Sequence, residues 1–403
     1  MLSIWSGSIS VMPKADSAAI SSGQSSVSLL IAGGGIMGLW AAVHAERLGI
    51  DTLLVDAGEL GKGASGGLLG ALMPHLPDKW NAKKQFQFDA LVSLEAEIDA
   101  IETATGLSTG YRRSGRIIPL PKPHLRKIAI AHSADAATHW HQHGSSFHWN
   151  VEDTPPVLGW IDPAAGESGF VHDTLAARVA PRALVAALVA FLRQAKRVSI
   201  LENAAVGGLQ PERGIAEAGG KTIAFGRCIV AAGYQSFPLL QRFTPGLERP
   251  LGQPVKGQAA LLKADIDPAF PTIFRDGLYI IVHEGGQAAI GSTSEARFSN
   301  PNTTDAQLDA LIEAAREMAP VLGDARVVER WAGLRPKAID RDPMIGPHPI
   351  YPKLIALTGG FKVSFGLAHR LAEAAVHMVE GRSPPCDLPE SFAFSSHVMA
   401  ASR

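Results

Sequence analysis

Apolar residues fall into two kinds of run along this chain: short, nearly continuous runs that stop at glycine, and longer stretches at helical spacing. Residues 28–32 (Ser-Leu-Leu-Ile-Ala) are a run of the first kind, halted by Gly33, Gly34 and Gly35. Such a run predicts a strand buried on both faces of a parallel sheet. Residues 36–48 are rich in Ala and Leu, lack Pro and end at Gly49, which predicts a helix. Residues 52–56 (Thr-Leu-Leu-Val-Asp) predict a second buried strand, completing a βαβ unit. Later apolar runs at 228–232 and 354–357 likewise stop at Gly233 and at Gly359-Gly360. Helices are predicted over 83–105, 123–143, 181–195, 303–318 and 363–380. The third opens with Pro181 and carries a stripe of Leu184, Leu188 and Leu192. Residues 250–293 read instead as antiparallel strands turning at Asp276-Gly277 and Gly285-Gly286.

Glycine-ended strands near 33, 233 and 359 lie far apart in sequence. Placed in one sheet, they make the nucleotide-binding lobe discontinuous, with the other lobe inserted between its pieces. The expected fold is α/β: a GxGxxG-type, Rossmann-like domain of residues 28–82, 165–237 and 330–382. An antiparallel β-sheet plus helix substrate domain takes 83–164 and 238–329. Residues 1–27 are rich in Ser and Ala, with Lys14 and Asp16 their only charges. They read as a disordered tail, with translation starting at Met12 as one account of it, and their apolar stretches are too interrupted for a signal peptide. Residues 383–403, with Pro384-Pro385, read as an irregular C-terminal tail.

Composition narrows the function. The 403 residues are 46% hydrophobic and 19% charged with a net charge of -1, which favours neither disorder nor a nucleic-acid partner. Cys228 and Cys386 form no metal or CxxC spacing, the usage of a reducing, cytoplasmic compartment. Residues 27–43 are almost uncharged but contain three successive glycines and fall short of the about 20 residues a membrane span needs. His139, His141 and His143 sit at a predicted helix end, where histidine suits the helix dipole, and are not assigned to a metal. Glu295 and Glu329 each have an arginine nearby in sequence and read as surface ion-pair partners.

The chemistry starts at Gly33-Gly34-Gly35-Ile36-Met37-Gly38, a GxGxxG between strand and helix. Gly33 makes the tight turn, Gly35 admits a pyrophosphate beside the backbone, and Gly38 lets helix and strand pack closely. Ile36 and Met37 open the helix whose positive end faces the phosphates. Asp56 ends the next strand, where a carboxylate accepts from ribose hydroxyls. This fingerprint alone leaves FAD and NAD open. Gly63-Ala64-Ser65-Gly66-Gly67 follows at once, a small-residue segment that lets Ala64 and Ser65 press against a longer cofactor.

With those segments the chain resembles the D-amino acid oxidase superfamily of FAD-dependent oxidoreductases, and within it the glycine oxidase branch, from about residue 28 to 381. Further carriers are Thr105-Gly106 leading to Gly110-Tyr111-Arg112-Arg113-Ser114-Gly115, Val230-Ala231-Ala232-Gly233 and Val255-Lys256-Gly257-Gln258. Trp331-Ala332-Gly333-Leu334-Arg335-Pro336 and Gly359-Gly360-Phe361-Lys362 complete the set. The resemblance implies non-covalent FAD held by Gly33, Gly35, Ile36, Met37, Gly38, Asp56, Ala64, Ser65, Val206, Ala232, Gly233, Gly333, Gly360, Phe361 and Lys362. It implies that Arg335 grips a substrate carboxylate, since a planar guanidinium matches a carboxylate in bidentate fashion.

Lys362 stands where glycine oxidases carry a second arginine. Phe361-Lys362 is instead similar to sarcosine oxidases, where a lysine meets the carboxylate. Tyr279 falls where glycine oxidases place a tyrosine hydroxyl near the carboxylate; a half-buried strand aromatic is the other reading. The helix after Val363 would aim its positive end at the flavin.

The implied reaction oxidises the C–N bond of a small amino acid or secondary amine by hydride transfer to flavin. The imine then hydrolyses to an oxo acid. Molecular oxygen is the implied acceptor. The strand at 287–291 lacks the oxygen-activating lysine of sarcosine oxidases, which keeps a dehydrogenase using a quinone or protein acceptor in view. A flavin-binding subunit of a larger complex is a further alternative, and homo-oligomerisation is left open.

Overall fold

The computed structural model of the protein describes residues 24–142 and 144–403. Its first sheet runs in the order Val198–Leu201, Thr52–Val55, Gln24–Ala32, Lys221–Val230, the first four strands being parallel. Beyond them an antiparallel extension, Ile215–Ala218 and Gly207–Gln210, takes one half of the last strand's free side. The other half pairs with Leu354–Thr358, again parallel.

The continuous apolar runs are explained by burial on both faces. Leu29, Ile31, Leu54, Ile229 and Ile355 face one core, while Leu30, Ala32, Val55, Cys228 and Ala356 alternate into another. The first core is roofed by the helices Ile36–Arg47, Ser364–Val379, Pro181–Arg193 and Ala82–Thr105. Asn81 caps the last of these, its side chain accepting from Lys83 and Lys84 N–H, and Gly106 ends it in a left-handed conformation. Removing a methyl-rich side chain such as Ile31, fully buried between strand and helices, should cost about 2–5 kcal/mol.

The second sheet has eight strands in the order Arg326–Ala338, Gly252–Lys263, Gln287–Gly291, Leu278–His283, Thr272–Arg275, Arg116–Pro119, Phe170–Asp173, Trp149–Glu152. Its hairpin turns fall at Asp276-Gly277 and Gly285-Gly286, all four residues with positive φ. Alternation again divides the faces. Ala260, Leu262, Ile280, Val282, Ala288 and Ile290 pack on the Ala306–Met318 helix through Leu308, Ile312 and Ala315. The opposite face carries Ala259, Ile281, Ala289, Tyr279 and Trp331, and turns toward the first lobe.

The division of the chain into lobes departs from the expected boundaries. Residues 330–338 of the Arg326–Ala338 strand, and Phe170–Asp173, expected in the nucleotide lobe, lie in ladder strands of the second sheet. Conversely, Ala82–Thr105 buries Phe86, Leu91 and Leu94 in the core of the first. Local pattern gives an element its type, but the edge it pairs with is decided by residues far away in sequence. The expected 123–143 helix stops at His139, whose ring stacks on Trp80 at 4.6 Å, and a small hairpin of His141–Gln142 and Ser145–Ser146 follows. His143 lies outside the described residues.

The expected tails also change. Residues 24–27 are strand, while residues 1–23, and with them the Met12 start, lie outside the described residues. The C-terminal segment is not irregular: it makes a turn at Glu390–Phe392 and a helix at Phe394–Ala401. Phe392, Phe394 and His397 are buried there, and the Ala401 carbonyl accepts from Glu248 and Arg249 N–H. Three buried side chains outweigh the helix-poor composition that suggested a tail. No helix among the described residues is long and apolar enough to cross a membrane.

Candidate active site

One cavity of about 990 Å³ opens between the C-terminal ends of the parallel strands and the inner face of the second sheet. This is where open parallel sheets bind ligands. From the first lobe Ala32, Val55, Ala231 and Leu357 reach it, each at a strand end, together with the loops that follow. Gly33, Gly35, Ile36, Met37, Asp56, Ala64, Ser65, Val206, Ala232 and Gly233 line this part.

Gly38 does not line the cavity. A Cβ there would overlap the Gly33 carbonyl oxygen, so its role is close helix–strand packing. Gly33 has φ +113°, and a Cβ on it would lie 2.6 Å from Ala232 Cα, against the neighbouring strand's end. Gly35 differs from both. A Cβ there would meet only Ser65 Oγ, at 3.3 Å, leaving the backbone open toward the cavity.

Two side chains tie this loop together. The Asp56 carboxylate accepts from Gly34 N–H at 2.6 Å and from Gly58 N–H at 2.8 Å. A carboxylate has about four acceptor positions, so two remain for a ligand's hydroxyls. Ser65 Oγ accepts from Ile36 N–H at 2.9 Å and so caps the first helix from a distance of 29 residues. That capping role was not legible in the sequence, because the cap residue usually adjoins its helix.

The other wall brings together the cations. Arg335, Gly333 and Tyr279 come from the second sheet, while Gly360, Phe361 and Lys362 come from the turn before the Ser364–Val379 helix. A bridge between Lys337 and Gly360, and a hydrogen bond from Phe361 N–H to the Pro336 carbonyl at 3.1 Å, hold strand and turn together. The helix starts at the cavity with no side chain capping it among the described residues, its positive end toward the site.

Arg335 is half-buried, and its one hydrogen bond is Nη1 donating to the Thr293 carbonyl at 3.2 Å. Among the described residues it has no carboxylate partner within ion-pair distance. Burial pushes its pKa down to about 10 against the opposing field of Tyr279 and Glu295. Burial, and then the Arg335 charge, lower that of Lys362. Burial likewise raises that of the Tyr279 hydroxyl.

Behind Arg335 lies a polar network that the sequence did not reveal. Glu295, expected at the surface, is mostly covered, its side chain 9% exposed; its carboxylate accepts from Gln258 Nε2 at 2.9 Å and from Thr293 Oγ1, and lies 3.6 Å from Lys256 Nζ. Glu329 pairs with Arg182 at 2.6 Å rather than with its sequence neighbour Arg330, which joins Asp309. The cavity also takes in Trp331, Ser292, Arg242 and Asn302, none of them anticipated as site residues. Only Trp331 stood in a motif that singled it out.

A two-lobed dinucleotide-binding enzyme is the class this sheet, its GxGxxG turn and the facing sheet define. The chain belongs to the DAO family of FAD dependent oxidoreductases, which matches residues 28–374. It is 29% identical to a glycine oxidase of Pseudomonas putida over 89% of this chain and 96% of the relative. It is 26% identical to a glycine oxidase of Bacillus licheniformis over 90% of this chain and 95% of the relative. Its fold is that of the glycine oxidase of Geobacillus kaustophilus, with a TM-score of 0.79 at 21% identity over 92% of this chain and 98% of that one.

FAD is the cofactor of this family, and the residues present fit it. The Gly35 backbone is open, Asp56 keeps acceptor positions, and an uncapped second helix starts at the cavity. The volume is also generous for a small amino acid alone.

Proposed function

We propose that the protein oxidises the C–N bond of a small amino acid or secondary amine bearing a carboxylate, releasing an imine that hydrolyses to an oxo acid. The observation that carries this reading is a half-buried arginine lining the cavity with no carboxylate partner among the described residues, beside a lysine whose charge it disfavours. Two like charges facing one cavity repel each other, and an anionic ligand between them offsets that.

FAD, held by the Gly33–Gly38 turn, Asp56, the Ala64–Ser65 segment and the start of the Ser364–Val379 helix, supplies the hydride acceptor when bound. The chain's own groups bind and orient. Arg335 offers a planar fork to the carboxylate and Lys362 a point charge, which together fix the substrate's α-carbon. The Tyr279 hydroxyl stays protonated and serves as a donor. Asp56 is the sole acidic side chain among the described lining residues, and it is bound to the Gly34 and Gly58 N–H groups. No side-chain base is therefore assigned. The two cations favour the neutral amine, the form with a lone pair to drive hydride departure.

Molecular oxygen is the proposed acceptor; a dehydrogenase serving a quinone or protein acceptor is the second reading, since Gln287–Gly291 carries no cation. The free thiols Cys228 and Cys386 suit a reducing compartment, the cytoplasm. Anaerobic mixing with paired amines, with and without the carboxylate, tests the substrate class through loss of flavin colour. Equal rates for both members of each pair would reject it. Oxygen consumption on readmitting air then decides the acceptor.

A further inference from the structure

The strand partners of the arginine raise a question about a glycine with no conformational need to be one. Gly257 is buried in the middle of Gly252–Lys263, and its φ lies outside the left-handed range, so its backbone would accept any residue. What excludes a side chain is Arg335. A Cβ on Gly257 would overlap Nη2 and Cζ of that guanidinium and lie 2.7 Å from Nη1.

The ladder explains how this arises. Gly257 stands opposite Gly333, and Val255 opposite Arg335, so Arg335 reaches diagonally across the bare position two residues along. Trp331 leans along its own strand instead: a Cβ on Gly333 would overlap its ring. Two facing glycines thus make a bare patch that an indole and a guanidinium cover.

The neighbours of Gly257 hold the remaining constraint. Gln258 N–H donates to Thr293 Oγ1 at 2.9 Å, and the Gln258 side-chain oxygen accepts from Asp305 N–H at 2.8 Å. Lys256 lies 3.6 Å from Glu295 and 3.7 Å from Asp305. These contacts fix Thr293, whose carbonyl is the one acceptor on Arg335. A guanidinium has five N–H donors. Floor and carbonyl together leave most of them for a ligand.

We propose that Gly257 is the positioning residue for carboxylate recognition: its missing side chain is the seat that aims the Arg335 fork into the cavity. The proposal rests on Arg335 being the carboxylate's partner. Gly257 touches no substrate. It acts through Arg335 alone, and a larger residue there would redirect the enzyme away from carboxylate-bearing substrates without dismantling the fold. The clash is with the far end of a flexible side chain rather than with backbone, so the arginine moves and the ladder stays.

The test uses the FAD-loaded protein and acetate as the probe, with affinity read by calorimetry and thermal stability read without acetate. Gly257→Ala should weaken acetate by at least about tenfold, because a displaced fork loses its paired, charge-assisted bonds. FAD affinity and melting temperature should stay those of the wild type. On an Arg335→Lys background, where no fork needs the seat, the same alanine should change acetate affinity less than about twofold. Equal losses on both backgrounds would mark a general packing defect and overturn the proposal, even if the alanine variant also melts early. Wild-type acetate affinity in Gly257→Ala, with loss in Arg335→Met, would leave Arg335 as the ligand and dismiss Gly257. Wild-type affinity in Arg335→Met would remove the underlying reading as well.

Discussion

Arg335→Met should make the substrate-free protein more stable while disabling it. The guanidinium is half-buried with one hydrogen bond, to the Thr293 carbonyl at 3.2 Å, and Glu295, whose charge opposes its desolvation, is engaged by Lys256 at 3.6 Å. Burial lowers the Arg335 pKa from 12.5 to about 10. For a cation a lowered folded-state pKa means that the charge costs stability wherever it is protonated, so the cost is fully present at pH 7 and fades only above about pH 10.

At about 1.4 kcal/mol for each factor of ten in proton affinity, the cost is roughly 3 kcal/mol. Methionine removes the charge, keeps much of the length and forfeits one hydrogen bond worth about 1 kcal/mol. The net gain is about 1–2 kcal/mol, a rise of a few degrees in melting temperature. A carboxylate ligand, by contrast, loses its charge-assisted partner, about 3 kcal/mol, so kcat/KM should fall at least about a hundredfold. Calorimetry of the substrate-free protein and anaerobic flavin reduction by matched amines with and without the carboxylate measure the two arms. A variant that melts lower than wild type, or that loses both substrates equally, would refute the account and make Arg335 a structural residue.

Carboxylate binding should weaken as pH rises through the lowered pKa of Lys362, because the protonated ammonium is the attracting form; Arg335→Met, by removing a like charge, should move that limb to higher pH in a titration series. Asp56→Ala should weaken FAD by at least about tenfold, since the Gly34 and Gly58 N–H groups lose their acceptor as well as the ribose; unchanged affinity in an FAD titration would exclude it. Burial lowers both His44 and His369 to about 3 from 6.5, so the unfolded chain binds more protons below pH 6.5 and stability falls from there toward pH 3. Each histidine should contribute up to about 1.4 kcal/mol per pH unit, and His369→Leu should flatten the acid limb of a melting-temperature profile.

Most of the cavity's first-lobe wall was legible because its signals are local. Gly33 to Gly38, Asp56 and the Ala64–Ser65 segment lie within 33 residues of one another, and their spacing carries the strand–turn–helix geometry. The substrate side was legible only as motifs. Trp331 to Pro336 and Gly359 to Lys362 could be named, but what joins them is the Lys337–Gly360 bridge, a tertiary contact. Glu295 misled because its nearest cation in sequence is not its partner in space; the ladder sets Lys256 beside it. The C-terminal helix was missed for a related reason. Its stabilisation comes from burying Phe394 and His397, which short polar neighbours conceal.

The order in which the first sheet is assembled bears on how the enzyme is made. Cys228–Val230 has one side against Gln24–Ala32, and its other side is covered only by Leu354–Thr358. At 5–20 residues per second, translation needs roughly 6–25 s to deliver that partner. For that interval an apolar ladder edge at the heart of the molecule stays open, a template for pairing with another nascent chain. The Ser364–Val379 helix and the Lys362 turn arrive later still, so the cavity they line cannot be complete before synthesis nearly is. A chain stopped short of residue 354 would present that edge permanently and should be recovered as aggregate rather than as a weak enzyme.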